Sequence, residues 1–429
     1  MSEESHMPEE SLTARRARLL GPAYRLFYEA PLHPVRGEGV WLDAADGKRY
    51  LDAYNNVASV GHCHPHVVEA IARQAGVLNT HTRYLHEGVL DYAERLLATM
   101  PAALGHSMFT CTGSEANDLA MRIAKAHTKA EGLIVTRFAY HGVTESIAQA
   151  SPSLGRFVQL GRAVRTVPPP DSYRVPPAEQ GKAFAAGVRA AIADLQAHSV
   201  RPAALMVDTV FSSDGIFTDP AGFLTEAVDA IREAGGIFIA DEVQPGLGRT
   251  GDAFWGFMRH PGLVPDIVTM GKPLGNGHPL AGLAVRPAVL AAFGRECRYF
   301  NTFGGNPVSM AAGMAVLDVV EREGLMANAQ RVGLHLRAGL SKLAERHALI
   351  GDVRGAGLFV GLELVTDRQA RTPATAETVR VVNGLRERQV LLSATGEHAN
   401  TLKIRPPLVF SEAHADLLVE TLDEVLRGL

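Results

Sequence analysis

Between about residues 105 and 305 the chain alternates short apolar runs with longer amphipathic stretches. The runs at 107–111, 132–137, 203–208, 236–241, 266–270 and 281–285 predict strands, and helices such as 115–127, 182–198 and 221–234 fall between them. Near-continuous apolar runs belong to strands buried on both faces. Strands that alternate with helices predict a mostly parallel sheet with helices on both sides. The stretch 167–177 carries five prolines and reads as a surface loop.

The flanking regions have a different texture. Residues 11–29 read as an amphipathic helix with Leu19, Leu20, Tyr24 and Phe27 on or near one face. Val40-Trp-Leu42 and Arg49-Tyr-Leu51 flank Asp46-Gly47, a hairpin signal. Pro65 opens a helix to about residue 78. A long helical stretch runs from Asn306 to about Arg346 with a break near Gly324. A strand over 352–365, a helix at 375–388, strands at 390–393 and 401–404, and a terminal helix follow. The expected fold class is α/β: a large domain over 66–305, and a smaller α+β domain built from 306–429 and completed by 1–65.

Composition narrows the function classes. The 429 residues are 46% hydrophobic and 21% charged, with a net charge of -4. The basic run Ala14-Arg-Arg-Ala-Arg18 is short and fits one helix face, so no nucleic-acid partner is expected. The three cysteines Cys63, Cys111 and Cys297 make no disulfide framework and suit a reducing compartment. The polar, acidic first ten residues do not read as a signal peptide, and no apolar run approaches membrane-spanning length. A cytoplasmic protein without membrane partners is the expectation.

Several strand ends carry chemistry. Ile239-Ala-Asp241-Glu-Val-Gln244 and Met270-Gly-Lys272-Pro end apolar runs in polar residues and glycine. A lysine there can form a Schiff base, and a carboxylate there can hold a pyridinium nitrogen protonated. Thr112-Gly113-Ser114 lies between a strand and a helix, where free N–H groups, hydroxyls and a glycine make a phosphate cradle. Tyr140-His141-Gly142 offers an aromatic for a flat ring, and Thr302 precedes a second glycine turn before a helix. Donors, an aromatic, a carboxylate and a lysine match the parts of pyridoxal 5'-phosphate (PLP). Gly61-His62-Cys63-His64-Pro65-His66 resembles a metal site, but adjacent ligands converge poorly on one ion, so no metal is expected.

Thr-Gly-Ser-Glu-Ala-Asn, Tyr-His-Gly, Ile-Ala-Asp-Glu-Val-Gln and Met-Gly-Lys-Pro resemble, in order, the signature segments of class III aminotransferases. That resemblance implies a fold-type I PLP enzyme acting as a homodimer with active sites at the subunit interface. It implies that Lys272 carries the cofactor and shuttles protons, and that Asp241 pairs with the pyridine nitrogen. By the same resemblance Gln244 contacts the ring 3-oxygen and Tyr140 stacks on the ring, with His141 beside it. Thr112, Gly113 and Ser114 bind the phosphate, and Thr302 reaches it from the neighbouring subunit.

Family members that use glutamate often place an arginine before the C-terminal Pro-Pro and a glutamate that pairs with it. Here Lys403 stands at the arginine's place, with Arg405 two residues on, and Ser213 at the glutamate's. Asn55-Asn56-Val-Ala, His81-Thr-Arg83-Tyr-Leu-His and Gly271-Lys-Pro-Leu-Gly-Asn-Gly-His-Pro279 are similar to the ethanolamine-phosphate phospho-lyase branch. The resemblance implies elimination of phosphate from phosphoethanolamine or a related phosphorylated amine, with Asn56, Arg83, Lys403 and Arg405 expected near the substrate. The alternatives are an ω-aminotransferase using pyruvate and a PLP-fold protein that only binds.

Overall fold

The computed structural model describes residues 10–429, so the acidic stretch 1–9 lies outside the described residues. Seven strands form the main sheet: His106–Thr110, Gly132–Thr136, Val164–Val167, Pro202–Asp208, Ile237–Asp241, Ile267–Met270 and Ala281–Val285. Their spatial order is first, seventh, sixth, fifth, fourth, second, third. Ala281–Val285 runs antiparallel to both neighbours, and the remaining pairs are parallel. This is the α/β fold expected, with one addition. Val164–Val167 was not anticipated, because Val-Arg-Thr-Val at a half-buried sheet edge has too few apolar positions to stand out.

The parallel order delivers the carboxyl ends of several strands to one edge. Asp208 and Asp241 are register partners there, and Asp241 pairs in turn with Thr269. Every residue of Ile237–Asp241 and Ile267–Met270 is buried. Each large apolar side chain buried this way stabilises the fold by about 1.5–3 kcal/mol, so the edge they hold is a rigid platform. Helix Gly113–Thr128 begins at the same edge. Thr112 caps it by accepting from the Glu115 N–H at 3.2 Å, while Glu115 reaches back to the Thr112 N–H at 2.8 Å.

A four-stranded sheet joins Pro34–Glu38, Trp41–Ala44 and Arg49–Asp52 to Val390–Leu391, so both ends of the chain share one layer. The expected turn at Asp46-Gly47 is present, with Gly47 at φ 79°. A second small sheet pairs Ile350–Ala356, Phe359–Asp367, Thr401–Ile404 and Ser393–Thr395. The single strand expected over 352–365 is therefore a hairpin. Gly357, at φ +50°, makes its turn, and a Cβ there would lie 2.4 Å from the Arg249 carbonyl oxygen. Helices Pro307–Arg322 and Leu325–Arg346 break at Gly324 as expected. Helix Glu87–Ala98 was not anticipated.

The N-terminal helix is shorter than its pattern suggests. It spans Leu12–Leu20 and stops at Gly21, at φ 68°, ahead of Pro22. Leu19, Leu20, Tyr24 and Phe27 are all exposed rather than packed on a core of this chain. The histidine run is held apart by three different carboxylates: His62 to Asp52 at 2.7 Å, His64 to Glu323 at 3.0 Å and His66 to Asp318 at 2.9 Å. Among the described residues no helix is long and apolar enough to cross a membrane.

Candidate active site

A cavity of about 280 Å³ opens at the sheet edge where the strand ends meet. Its walls include Thr112, Gly113, Ser114, Tyr140, His141, Asp241, Gln244 and Lys272, residues that the sequence scatters over 160 positions of chain (272 less 112). At one end lies the start of helix Gly113–Thr128. The first amides of a helix have no partner inside it, so the Gly113 and Ser114 N–H groups point out of its positive end. Ser114 Oγ accepts from the Val143 N–H at 3.1 Å, which folds the Tyr140-His-Gly turn over the helix start. Gly142 allows that approach: at φ +146°, its Cβ would meet Ser114 Oγ at 2.6 Å.

Across the cavity, Asp241 is fixed by three contacts. His141 Nδ1 lies 2.7 Å and Asn117 Nδ2 2.9 Å from its Oδ2, and the Val243 N–H donates to Oδ1 at 3.1 Å. Asn117 is itself fixed, since it donates to the His141 carbonyl at 2.7 Å and accepts from Thr269 Oγ1 at 2.6 Å. Sequence reasoning missed Asn117. It reads as helix interior, and its role depends on two strands that come together only in the fold.

Lys272 begins a short turn immediately after Met270-Gly271, and its Nζ lies 5.8 Å from the Tyr140 ring centre. Burial foremost, then the Arg405 charge, pushes its amine down to about 8, against Asp241 and Asp208, which raise it. Asp208, also on the cavity wall, was not singled out from sequence. It accepts from the Val210 N–H at 3.0 Å and from the Ser212 hydroxyl, and burial raises its carboxyl.

The remaining expected residues divide into two groups. Asn56, Lys403 and Arg405 lie behind the Gln244 side of the cavity. Asn56 is buried, with Nδ2 3.5 Å from the Gln244 carbonyl and its Oδ1 unpartnered. Arg405 donates to the Gln244 side-chain oxygen and, at 3.1 Å, to the Tyr54 carbonyl, and it lies over the Tyr54 ring at 4.8 Å. Lys403 is 7% exposed, with no hydrogen bond or ion pair to its amine among the described residues; burial foremost, then Arg405, holds that amine well below its ordinary range. Arg83 and Thr302 are instead exposed and do not line this cavity. Arg83 stacks on Phe300 at 3.8 Å, beside the turn that carries Thr302. Ser213 contributes backbone only, its carbonyl accepting from Gly396 N–H at 3.1 Å.

Residues 27–426 match the family model "Aminotransferase class-III". The chain belongs to the class III aminotransferase family. Its fold superposes with a TM-score of 0.94 on a phospholyase from Arthrobacter in complex with phosphoethanolamine, 44% identical over 98% of this chain and 100% of that one. It is 40% identical to alanine–glyoxylate aminotransferase 2 homolog 2, mitochondrial, of Arabidopsis thaliana, over 96% of this chain and 86% of the relative. It is 37% identical to ethanolamine-phosphate phospho-lyase homolog 1 of Caenorhabditis elegans, over 97% and 93%.

PLP is the cofactor of class III aminotransferases, and this chain is a PLP-dependent enzyme of that class, either a phospho-lyase or an aminotransferase. The cavity fits it. Helix-start amides suit its phosphate, a carboxylate held by three donors suits its pyridine nitrogen, and a lysine with a lowered pKa suits its aldehyde.

Proposed function

We propose that this class III enzyme is a phospho-lyase that eliminates phosphate from phosphoethanolamine or a closely related phosphorylated amine. The observation that carries this reading is a charge imbalance. Lys403, Arg405 and Arg249 are all buried near one another, and no carboxylate forms an ion pair with any of them among the described residues. The carboxylate whose charge acts on both Lys403 and Arg405 is Asp208, which is bonded to Ser212 and Val210. Burial without an anionic partner disfavours their charged forms and lowers all three pKa values, and a doubly charged phosphate is the ligand that restores the charge. The likeness to the phospholyase with phosphoethanolamine bound supports the same choice.

PLP, when bound, withdraws electrons from the carbon that carries the substrate amine. Asp241, held by His141, Asn117 and the Val243 amide, keeps the ring nitrogen protonated. Gly113 and Ser114 would hold the cofactor phosphate, with Thr112 beside them, and Tyr140 would cover the ring. Gln244, oriented by Arg405, serves the ring oxygen. Lys272, with its amine near pKa 8, takes the proton from the carbon next to nitrogen. The electron pair left there forms a carbon–carbon double bond as the neighbouring C–O bond to phosphate breaks. Lys403 and Arg405 receive the departing phosphate, and water converts the vinylamine product to acetaldehyde and ammonia. Asn56 borders the same space.

Arg83 and Thr302 enter this scheme from a second copy of the chain. Both are exposed at one face, next to Tyr84, Leu85 and Phe303, which are 65%, 98% and 69% exposed. An apolar rim of that kind marks an interface. In the homodimer Thr302 completes the cofactor phosphate site and Arg83 supplies a further cation.

A second reading is favoured by the aminotransferase relatives at similar identity, including one of Drosophila melanogaster at 41%. There Lys272 would hand the proton back rather than let phosphate leave, and an amine would donate its nitrogen to pyruvate or another keto acid. One assay separates the two: holoenzyme with phosphoethanolamine and no keto acid. Equal amounts of inorganic phosphate and acetaldehyde are expected. Alanine formation from pyruvate and an amine, with phosphate release at background, would show the lyase reading to be wrong.

A further inference from the structure

We propose that Arg249 is a positioning residue that fixes two buried cations, Lys403 and Arg405, behind the Gln244 side of the cofactor cavity. The proposal rests on the reading that those cations take the substrate phosphate. Arg249 lies in the loop that follows strand Ile237–Asp241, and it is 1% exposed. Among the described residues its guanidinium has no carboxylate partner. Instead Nη1 donates to the Leu358 carbonyl at 3.1 Å and to the Pro406 carbonyl at 2.6 Å. Its own carbonyl accepts from the Leu358 N–H at 3.0 Å, so side chain and backbone grip the same hairpin turn from both sides.

Pro406 directly follows Arg405 and lies three residues beyond Lys403. Strand Thr401–Ile404 lies against Phe359–Asp367, with Val360 opposite Ile404. Holding Leu358 and Pro406 therefore holds the start of one strand and the end of its neighbour. The same loop carries Gln244, whose side chain accepts from Arg405. The loop that meets the cofactor and the strand that meets the substrate phosphate are thus joined twice, at Gln244–Arg405 and at Arg249–Pro406.

The surroundings leave no slack in this junction. A Cβ on Gly357 would lie 2.4 Å from the Arg249 oxygen, one on Gly251 2.5 Å from the Gln330 backbone, and one on Gly333 2.0 Å from the Gly357 oxygen. Glycines let three backbones meet around the Arg249 loop. Arg249 also repels Arg405, since burial first and the Arg405 charge second lower its pKa to about 9. A cation placed beside another cation is a poor stabiliser of the apo fold. Its carbonyl contacts make sense as a means of holding Arg405 and Lys403 where an anion arrives.

The test compares Arg249→Lys and Arg249→Met with wild type as full-length holoenzymes. Lysine keeps the charge, but its stem ends one atom short of Nη1, the nitrogen that reaches both carbonyls. For Arg249→Lys the KM for phosphoethanolamine is expected to rise about fivefold, the effect of one lost hydrogen bond, with kcat within about twofold. The Schiff-base absorbance near roughly 410–430 nm should survive dialysis as in wild type. Arg249→Met should show a larger rise of the same kind; if it does not fold, the lysine variant decides alone. An unchanged KM in Arg249→Lys overturns the proposal. So does a fall in kcat and cofactor retention in step with KM, which is what general loosening produces. If wild type releases no phosphate, the lyase reading fails on its own account. The inhibition constant of inorganic phosphate in transamination to pyruvate then carries the comparison. The same fivefold weakening supports the positioning role, and an unchanged constant overturns it.

Discussion

At the scale of single residues, Lys272 is tuned by what surrounds it more than by its own chemistry. Burial disfavours the ammonium form, and the Arg405 guanidinium disfavours it further, so the amine titrates near 8 rather than in the ordinary lysine range. A base works in its unprotonated form, which is populated above the pKa. The kcat for proton removal should therefore climb with pH through about 8 and level off above it. Replacing Arg405 with methionine removes a repelling cation, which lets the ammonium persist to higher pH. The limb of the kcat–pH profile, measured at saturating substrate, should move upward in pH in Arg405→Met. A limb that stays in place would mean that the Arg405 charge does not reach Lys272. Asp241 and Asp208 act in the opposite sense, so neutralising Asp208 with asparagine should displace the limb downward.

At the scale of elements, the cavity is an outcome of three chain reversals at one sheet edge. The reversal at Tyr140-His141-Gly142 is the most demanding, because its glycine is at φ +146° and lies against Ser114. Gly142→Ala would drive a methyl group to 2.6 Å from Ser114 Oγ and 2.8 Å from Ser114 Cα. The turn must then lift away from the helix start, so the variant should lose PLP affinity by at least about tenfold, read by equilibrium dialysis of the Schiff-base chromophore. Retention equal to wild type would mean that the helix start does not need this turn. Much of this arrangement is legible in sequence, and the reason is physical. Lys272, Asp241, Ser114 and Tyr140 each follow an apolar run that breaks at glycine or a polar cluster, and that break marks a strand end. Asn117 and Arg249 leave no such mark. Asn117 is one more polar residue in a helix, and Arg249 is one more cation in a glycine-rich loop. Their roles come from contacts with residues over 100 positions away: Asp241 for the first, Leu358 and Pro406 for the second. The N-terminal helix fails in the opposite direction. Its apolar pattern continues to Phe27, but Gly21 and Pro22 end the helix, and Leu19, Leu20 and Tyr24 stay exposed while Phe27 rests edge-on against Tyr54 at 5.4 Å.

At the scale of the whole molecule, a different exposed apolar surface bears on catalysis. Leu85, Tyr84 and Phe303 are exposed beside Arg83 and Thr302, two residues expected at the active site that stand away from the cavity of their own chain. If a second copy supplies them, each active site draws Lys272 from one chain and Thr302 with Arg83 from the other. Two defective chains can then repair one another. A Lys272→Ala chain has no base but presents an intact Thr302 and Arg83. A chain carrying Thr302→Ala and Arg83→Ala keeps its Lys272 but presents a damaged rim. In a mixed dimer one site collects both defects and the other collects neither. Random reassortment of equal amounts makes half of the dimers mixed, and half of their sites intact. Activity should recover to about a quarter of wild type, from two preparations that are each close to inactive. The measurement is specific activity after partial denaturation and refolding together, against the same treatment of each variant alone. Recovery requires a shared site, because chains that each house a complete site gain nothing from mixing. A mixture that stays at the level of its parents would place Arg83 and Thr302 outside the neighbouring cavity and leave the exposed apolar rim to some other contact.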